Sequence, residues 1–211
     1  MLQFGPPVAN SAADIQMIVN ATQLNIAALK EDGFDFNIQY DTNVSDWDLG
    51  VFARGTYLFN YKTQSAPGLP FESQLGKYSS FGSPVKLRSQ MGVHFGKDWF
   101  GGAFTANYVK GYECGAGNCF VPGVGGAPII NVDPVKIDPW WTIDAAFDFD
   151  LSGLGGFMSG TSAVVTVNNI FDNDAPFIDG GSPNSSIHTA YDPANHTIIG
   201  RTVGLLIRKR W

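Results

Sequence analysis

The feature that most constrains this chain is a period-two alternation of apolar and polar side chains, which returns from Phe34 to the last residue. Phe34, Phe36, Ile38 and Tyr40 are interleaved with Asp35, Asn37, Gln39 and Asp41. A strand with that order carries large apolar groups on one face and polar groups on the other, whereas a helix would scatter both sets around its circumference. The rhythm recurs at about 47 to 61, 85 to 95, 99 to 112, 141 to 149 and 161 to 171, with Phe52 and Leu58 interrupting one polar face. It closes the chain, where Val203, Leu205, Ile207, Lys209 and Trp211 alternate with Thr202, Gly204, Leu206, Arg208 and Arg210. About seven strands follow from the pattern.

Between them, short connections alternate with long ones. Turns are expected near Thr42 to Asp46, at Gly96-Lys97-Asp98 and in a Gly-rich stretch at about 151 to 160; long loops are expected at about 62 to 84, 113 to 134 and 172 to 197. A soluble sandwich has no reason to sort its loops by length, but a transmembrane β-barrel has short periplasmic turns and longer extracellular loops. No apolar run approaches the roughly 18 residues of a membrane helix, so contact with a bilayer would be through strands. The fold expected is all-β: an antiparallel transmembrane β-barrel segment in which Trp211 lies at the periplasmic end. A soluble all-β binding domain is the competing reading.

Seven is an odd count, and bacterial single-chain barrels have even numbers of strands. No charged n-region followed by an apolar h-region occurs at Met1 to Pro7. Together these lead to the expectation of an incomplete barrel, the C-terminal part of a larger one. Residues 1–23 are expected to be an extracellular loop in which Ser11 and Asp14 open a short helix over about 11 to 23, and residues 24–211 to be the barrel strands.

Two segments carry a resemblance. Asn168-Asn169-Ile170-Phe171-Asp172, followed by Pro176, is similar to the motif that closes the penultimate strand of TonB-dependent outer-membrane receptors. Tyr191-Asp192-Pro193, then Gly200-Arg201 and a strand ending in an aromatic, resembles the C-terminal signature of the same family. Weaker similarity extends upstream through Gly33-Phe34-Asp35, Gly55-Thr56-Tyr57-Leu58 and the Trp99 to Tyr108 stretch. Ala175 stands where a first Pro is frequent, Trp211 where Phe is commoner, and the plug domain and TonB box of the family are absent from this sequence. The resemblance implies the last third of a barrel of about twenty-two strands in the outer membrane of a Gram-negative bacterium. It implies import of a scarce bulky ligand of the siderophore, vitamin or oligosaccharide class, with the TonB energy-coupling complex, the barrel-assembly machinery and outer-membrane lipid as partners. In that family Val203, Leu205, Ile207 and Trp211 would form the C-terminal assembly signal, and Asn169, Phe171, Asp172, Pro176, Gly200 and Arg201 the family motif. A smaller outer-membrane barrel or β-sheet protein with a structural or adhesive role, and no active transport, is the alternative.

The chemistry-bearing residues point away from catalysis. There is no Gly-Lys-Ser/Thr phosphate loop, no nucleophile elbow and no pair of histidines at ligand spacing, so neither an enzyme nor a metal or cofactor site is expected. His94 and the acids Asp35, Asp41, Asp48, Asp144 and Asp148 fall at polar-face positions of strands. The formal charge of −6 argues against a nucleic-acid partner. Cys114 and Cys119, separated by four residues in a Gly-containing loop, are expected to form a disulfide in an oxidising compartment, with free thiols or a metal site as alternatives. Trp47, Tyr61, Trp99, Trp140, Trp141 and Trp211 lie near strand ends and are expected to form interfacial girdles.

Overall fold

A strand that is apolar on one side only needs neighbours whose apolar side chains fall opposite its own, and register decides whether they do. A computed structural model describes residues 28–78, 82–122, 128–179 and 190–210 of the chain. Seven long strands pair in chain order: β1 (Ala28–Val44), β2 (Trp47–Gln64), β4 (Leu87–Lys97), β5 (Phe100–Val109), β10 (Trp140–Asp150), β11 (Thr161–Asn168) and β12 (Thr202–Lys209). Every pairing is antiparallel, and the short β3 (Glu72–Ser73) lengthens the sheet beside β2. Among the described residues β1 and β12 are the two outer strands, so the sheet is open.

The register carries one apolar face across all seven strands. Tyr40 lies opposite Val51, Val51 opposite Val93, Val93 opposite Phe104, Phe104 opposite Ala145, Ala145 opposite Val167, and Val167 opposite Val203. Residues directly opposite one another share a face, so this row is apolar from one edge of the sheet to the other. Most of its members are exposed, Val51 at 49%, Phe104 at 39% and Val203 at 72%, while Val167 is half-buried and Ala145 is buried. Rings stack along the face, Phe95 with Phe104 at 6.4 Å, Phe104 edge-on to Phe147 at 5.6 Å and Phe100 against Phe149 at 5.2 Å. The opposite face carries Asp35, Asp41, Asp48, His94, Asp144 and Asp148 at the alternate positions, as the period-two pattern requires.

Glycine recurs directly across from a ring. Gly102 lies between Phe95 and Phe147, and a Cβ there would come within 2.6 Å of the Phe95 ring. Gly92 receives Phe52, and Gly50 receives the His94 imidazole, in the same way on the polar face. This is how Phe52 is accommodated where the pattern calls for a polar residue: its ring lies over a neighbour that has no side chain.

Connections follow the expected asymmetry. Ser45 and Asp46 join β1 to β2, Asp98 and Trp99 join β4 to β5, and two 3-10 turns, Ser152–Leu154 and Gly156–Met158, join β10 to β11. Ser45 and Asp98 take positive φ, at 56° and 35°, which lets each strand run a residue or more past its expected end. The long connections all lie at the other end of the sheet. The second of them contains β6 (Tyr112–Cys114), β7 (Phe120–Pro122), β8 (Pro128–Ile130) and β9 (Val135–Ile137), paired as β6–β9 and β7–β8. The strand expected over 99 to 112 is therefore two elements. At Gly111 a Cβ would lie 2.7 Å from the Ile137 carbonyl, and beyond it Tyr112 turns inward to a buried position. The helix expected over 11 to 23 lies outside the described residues. No helix among those described is long and apolar enough to cross a membrane.

Candidate functional site

The polar face and the long loops above it hold the structure's polar chemistry. Across four strands, directly opposed side chains form a row. Arg54 Nε donates to Gln90 Oε1 at 2.8 Å, Gln90 Nε2 to Asn107 Oδ1 at 2.7 Å, and Asn107 Nδ2 to Asp144 Oδ2 at 2.8 Å and to Thr142 Oγ1 at 3.1 Å. Asp144 Oδ1 then accepts the backbone N–H of Asn169 at 2.8 Å. Each amide passes the chain of donors on, so all the strongly polar groups in the row are paired. Nearer the short turns His94 Nε2 approaches Asp41 Oδ1 at 3.1 Å. The described residues contain no cluster of three or more His, Cys, Asp or Glu that would hold a metal ion.

Over the long-loop end sits a small apolar core built by the loops themselves: Val85, Val109, Tyr112, Cys114, Cys119, Ile137, Trp140 and Ile178 are all buried. Cys114 and Cys119 are joined by a disulfide and are 0% and 2% exposed. Asn131, itself buried, donates to the carbonyls of Gly115 and Asp133 and accepts the Cys119 N–H, which pins the disulfide ring to the rest of the loop. The tight turn Asp192 to His196 plugs into this core from the third long loop. Tyr112 donates its hydroxyl to Asp192, Asn195 Nδ2 bonds Ser83 O and Asp192 Oδ2 at 2.9 Å each, and Arg88 Nη2 reaches Ala194 O at 3.0 Å and the Asn195 side chain.

Burial and the negative Asp192 raise the Tyr112 hydroxyl well above the usual phenol range, so it remains a donor. His196 stacks on Tyr112 and meets Trp140 edge-on, at 5.9 and 5.5 Å. Neither of its ring nitrogens has a hydrogen-bond partner, and burial lowers its pKa against the attraction of Asp192, with Arg88 adding to the lowering.

The motif residues Asn169, Asp172, Gly200 and Arg201 converge on the seam between the end of β11 and the start of β12. Asn169 takes φ of 51° and ends the strand three residues before the expected position; its side chain both accepts from the Asn173 N–H at 2.9 Å and donates to the Asn173 carbonyl at 3.1 Å. Asp172, at φ of 55°, accepts the Arg201 N–H at 2.6 Å, and Arg201 Nη1 donates to Ile170 O at 3.2 Å. Gly200 has no room for a side chain, since a Cβ would lie 2.7 Å from Asp172 Oδ1. Phe171 meets Trp141 edge-on at 5.8 Å on the apolar face. Pro176 is half-buried two residues before Ile178, which enters the loop core, and is apart from the others. Val203, Leu205 and Ile207 line the apolar face of β12, and Trp211 lies outside the described residues.

The family models, the curated proteins and the solved structures contain no match to this chain.

One expectation about the aromatics is corrected. Trp141 is 44% exposed on the apolar face, but Trp140 is 8% exposed and belongs to the loop core on the other side. Adjacent residues of a strand point opposite ways, so the pair could never have shared one girdle. Arg54, Gln90 and Asn107 were legible as polar-face positions, but their alignment in one row depends on register. Arg88, Tyr112, Asn195 and His196 were not singled out by any spacing; Asp192-Pro193 with Asn195 close behind is the kind of turn signal that marks the hub.

Proposed function

We propose that the chain forms a stretch of wall of an outer-membrane β-barrel of the TonB-dependent receptor type, which imports a bulky ligand from outside the cell. The observation that carries the reading is the apolar face: seven strands wide, in register, exposed, and backed by a face of hydrogen-bonded polar groups. Water makes such a face unfavourable, and contiguous apolar patches beyond a few hundred Å² on soluble proteins mark a partner or a membrane. Lipid is a partner that matches its height. Trp47 and Tyr57 on β2 are ten residues apart, which at ~3.3 Å per residue and a tilt of ~40° gives ~25 Å, the apolar band of an outer-membrane barrel.

Trp47 and Trp99 lie at the short-turn end and Tyr108 and Trp141 at the long-loop end of that face, in the places of two interfacial girdles. The row from Arg54 to Asp144 then faces the lumen, and the disulfide-stapled loops roof its extracellular mouth. The clamp of Asp172 on Arg201 holds the last hairpin closed where the resemblance places its motif. On this reading the barrel-assembly machinery inserts the strands and an inner-membrane TonB complex energises transport.

The test is fractionation combined with uptake. Expression in a Gram-negative host should place the protein in the outer membrane, in a form that unfolds on heating in detergent, and growth on the transported ligand should require the proton-motive force. Recovery of folded protein in the aqueous fraction without detergent would overturn the membrane reading. Outer-membrane location with uptake independent of the proton-motive force would leave the barrel and remove the TonB class.

A further inference from the structure

On the lumen-facing side, Arg54 of β2 and Arg88 of β4 are diagonal neighbours, Arg54 opposite Gln90 and Arg88 opposite Thr56. Between them lies a groove of about 410 Å³ lined also by Gln90, Asn107, Trp140 and Asn195. A second groove of about 360 Å³ continues past Arg88, sharing Thr56 and Asn195 with the first. Aspartates including Asp35, Asp41, Asp48, Asp144 and Asp148 stand on this face, yet neither guanidinium is paired with a carboxylate among the described residues. Arg54 bonds the Gln90 carbonyl oxygen, and Arg88 bonds the Ala194 carbonyl and the Asn195 amide oxygen. Neutral acceptors orient both forks without cancelling their charge, and each guanidinium has five N–H donors, of which these bonds use only some.

Two like charges held side by side repel, and in a chain of formal charge −6 the arrangement is not a by-product of a basic composition. A planar fork with spare donors is the group best matched to a carboxylate or a phosphate, which it engages with two parallel charge-assisted bonds. Gln90 Nε2 spends one hydrogen on Asn107 and has a second to offer an oxygen of such a head group, while Asn107, Asn195 and Thr56 have their donors committed within the protein. The combined volume is that of a small-molecule site. We infer that the groove between Arg54 and Arg88 binds an oxygen-rich organic anion, with a carboxylate or phosphate seated across the two guanidiniums. The inference rests on the barrel reading for its role as a ligand contact, but its chemistry belongs to the groove alone.

The experiment is isothermal titration of the full chain in detergent micelles with three probes: citrate as a carboxylate, glucose 6-phosphate as a phosphate, and glucose as the neutral control. Saturable binding of citrate or of glucose 6-phosphate, with none of glucose, is expected; whichever anion binds more tightly identifies the head group. Arg54→Gln should weaken that binding at least about tenfold, and Arg54→Lys should restore part of it, because charge returns without the fork. Arg88 also holds the Asp192 to His196 turn, so Arg54 is the decisive position. Arg208→Gln, which removes the same charge from the far end of β12, should leave the affinity unchanged.

Equal weakening in Arg54→Gln and Arg208→Gln would show general electrostatic attraction and overturn the site, as would failure of both anions to bind. Either result would leave the membrane reading intact, because fractionation and heat-modifiability do not depend on Arg54. A protein that bound citrate through Arg54 but fractionated as soluble would retain the site and lose the barrel.

Discussion

Phe104 lies mid-strand on β5, and a charge placed there tests the facing of the whole sheet. Its ring is 39% exposed, stands between Val93 and Ala145, and meets Phe95 and Phe147 at 6.4 and 5.6 Å. An arginine at the midplane of a bilayer costs about 2 to 4 kcal/mol on a lipid-facing strand. Two lost aromatic pairs add about 0.5 to 1.5 kcal/mol each, so Phe104→Arg should destabilise the folded state by roughly 3 to 7 kcal/mol. Phe104→Leu loses the ring contacts but stays apolar, and should cost about 1 to 3 kcal/mol. Ala103, one residue earlier, is on the polar face beside His94 and Ala146, so Ala103→Arg should be nearly neutral. The measurement is equilibrium denaturant unfolding in lipid vesicles, followed by tryptophan fluorescence and by mobility in unheated gels. If Phe104→Arg and Ala103→Arg shift the midpoint equally, the apolar face does not meet lipid. If Phe104→Arg costs no more than Phe104→Leu, the face meets water.

The clamp between β11 and β12 should be sensitive to small changes: Gly200→Ala forces a methyl against Asp172 and should destabilise by about 1 to 3 kcal/mol, read as a lower denaturant midpoint, whereas Ile199→Ala beside it on the exposed segment should do so far less. Acid should loosen the loop core through His196. Because burial holds its folded pKa below the ordinary imidazole value, the core keeps its full stability above about pH 6.5, loses it as pH falls from there, and levels off once the folded ring is itself protonated. Hydrogen exchange of the core amides should follow that course, and His196→Phe should abolish this part of the pH dependence; an unchanged profile in the variant would assign it to another group. Replacing both Cys114 and Cys119 by Ser removes a cross-link across a short loop, for a loss of about 2 kcal/mol, while mild reductant should leave the buried bond intact in the folded protein, as counted by thiol labelling.

How much of this was legible in the sequence differs between strand and loop. From Phe34 to Tyr40 and from Val203 to Ile207 the side chains state their own facing, because period two is a local property that any strand expresses regardless of its partners. Turn chemistry likewise placed the short connections to within a few residues, with Ser45 and Asp98 shifting the ends through positive φ. What could not be read were contacts between segments far apart in the chain. Asp192 meets Tyr112 across 80 residues of chain, and Asn195 meets Ser83 across 112. Trp140 is the instructive case, since its neighbour Trp141 is exposed on the apolar face and adjacency alone forbids both from lying there. The four convergent motif residues were found by resemblance, but their mutual geometry needed the left-handed turns at Asn169 and Asp172, which no periodicity encodes.

The rings that lie across glycines have a consequence for how this sequence can vary. Gly102 cannot accept a methyl group while Phe95 and Phe147 both lean over it. Substitutions that are rejected singly at such positions become acceptable in pairs, a larger residue at the glycine matched by a smaller one across the strand. Such positions are sterically coupled, so that bulk added on one strand must be removed from the next.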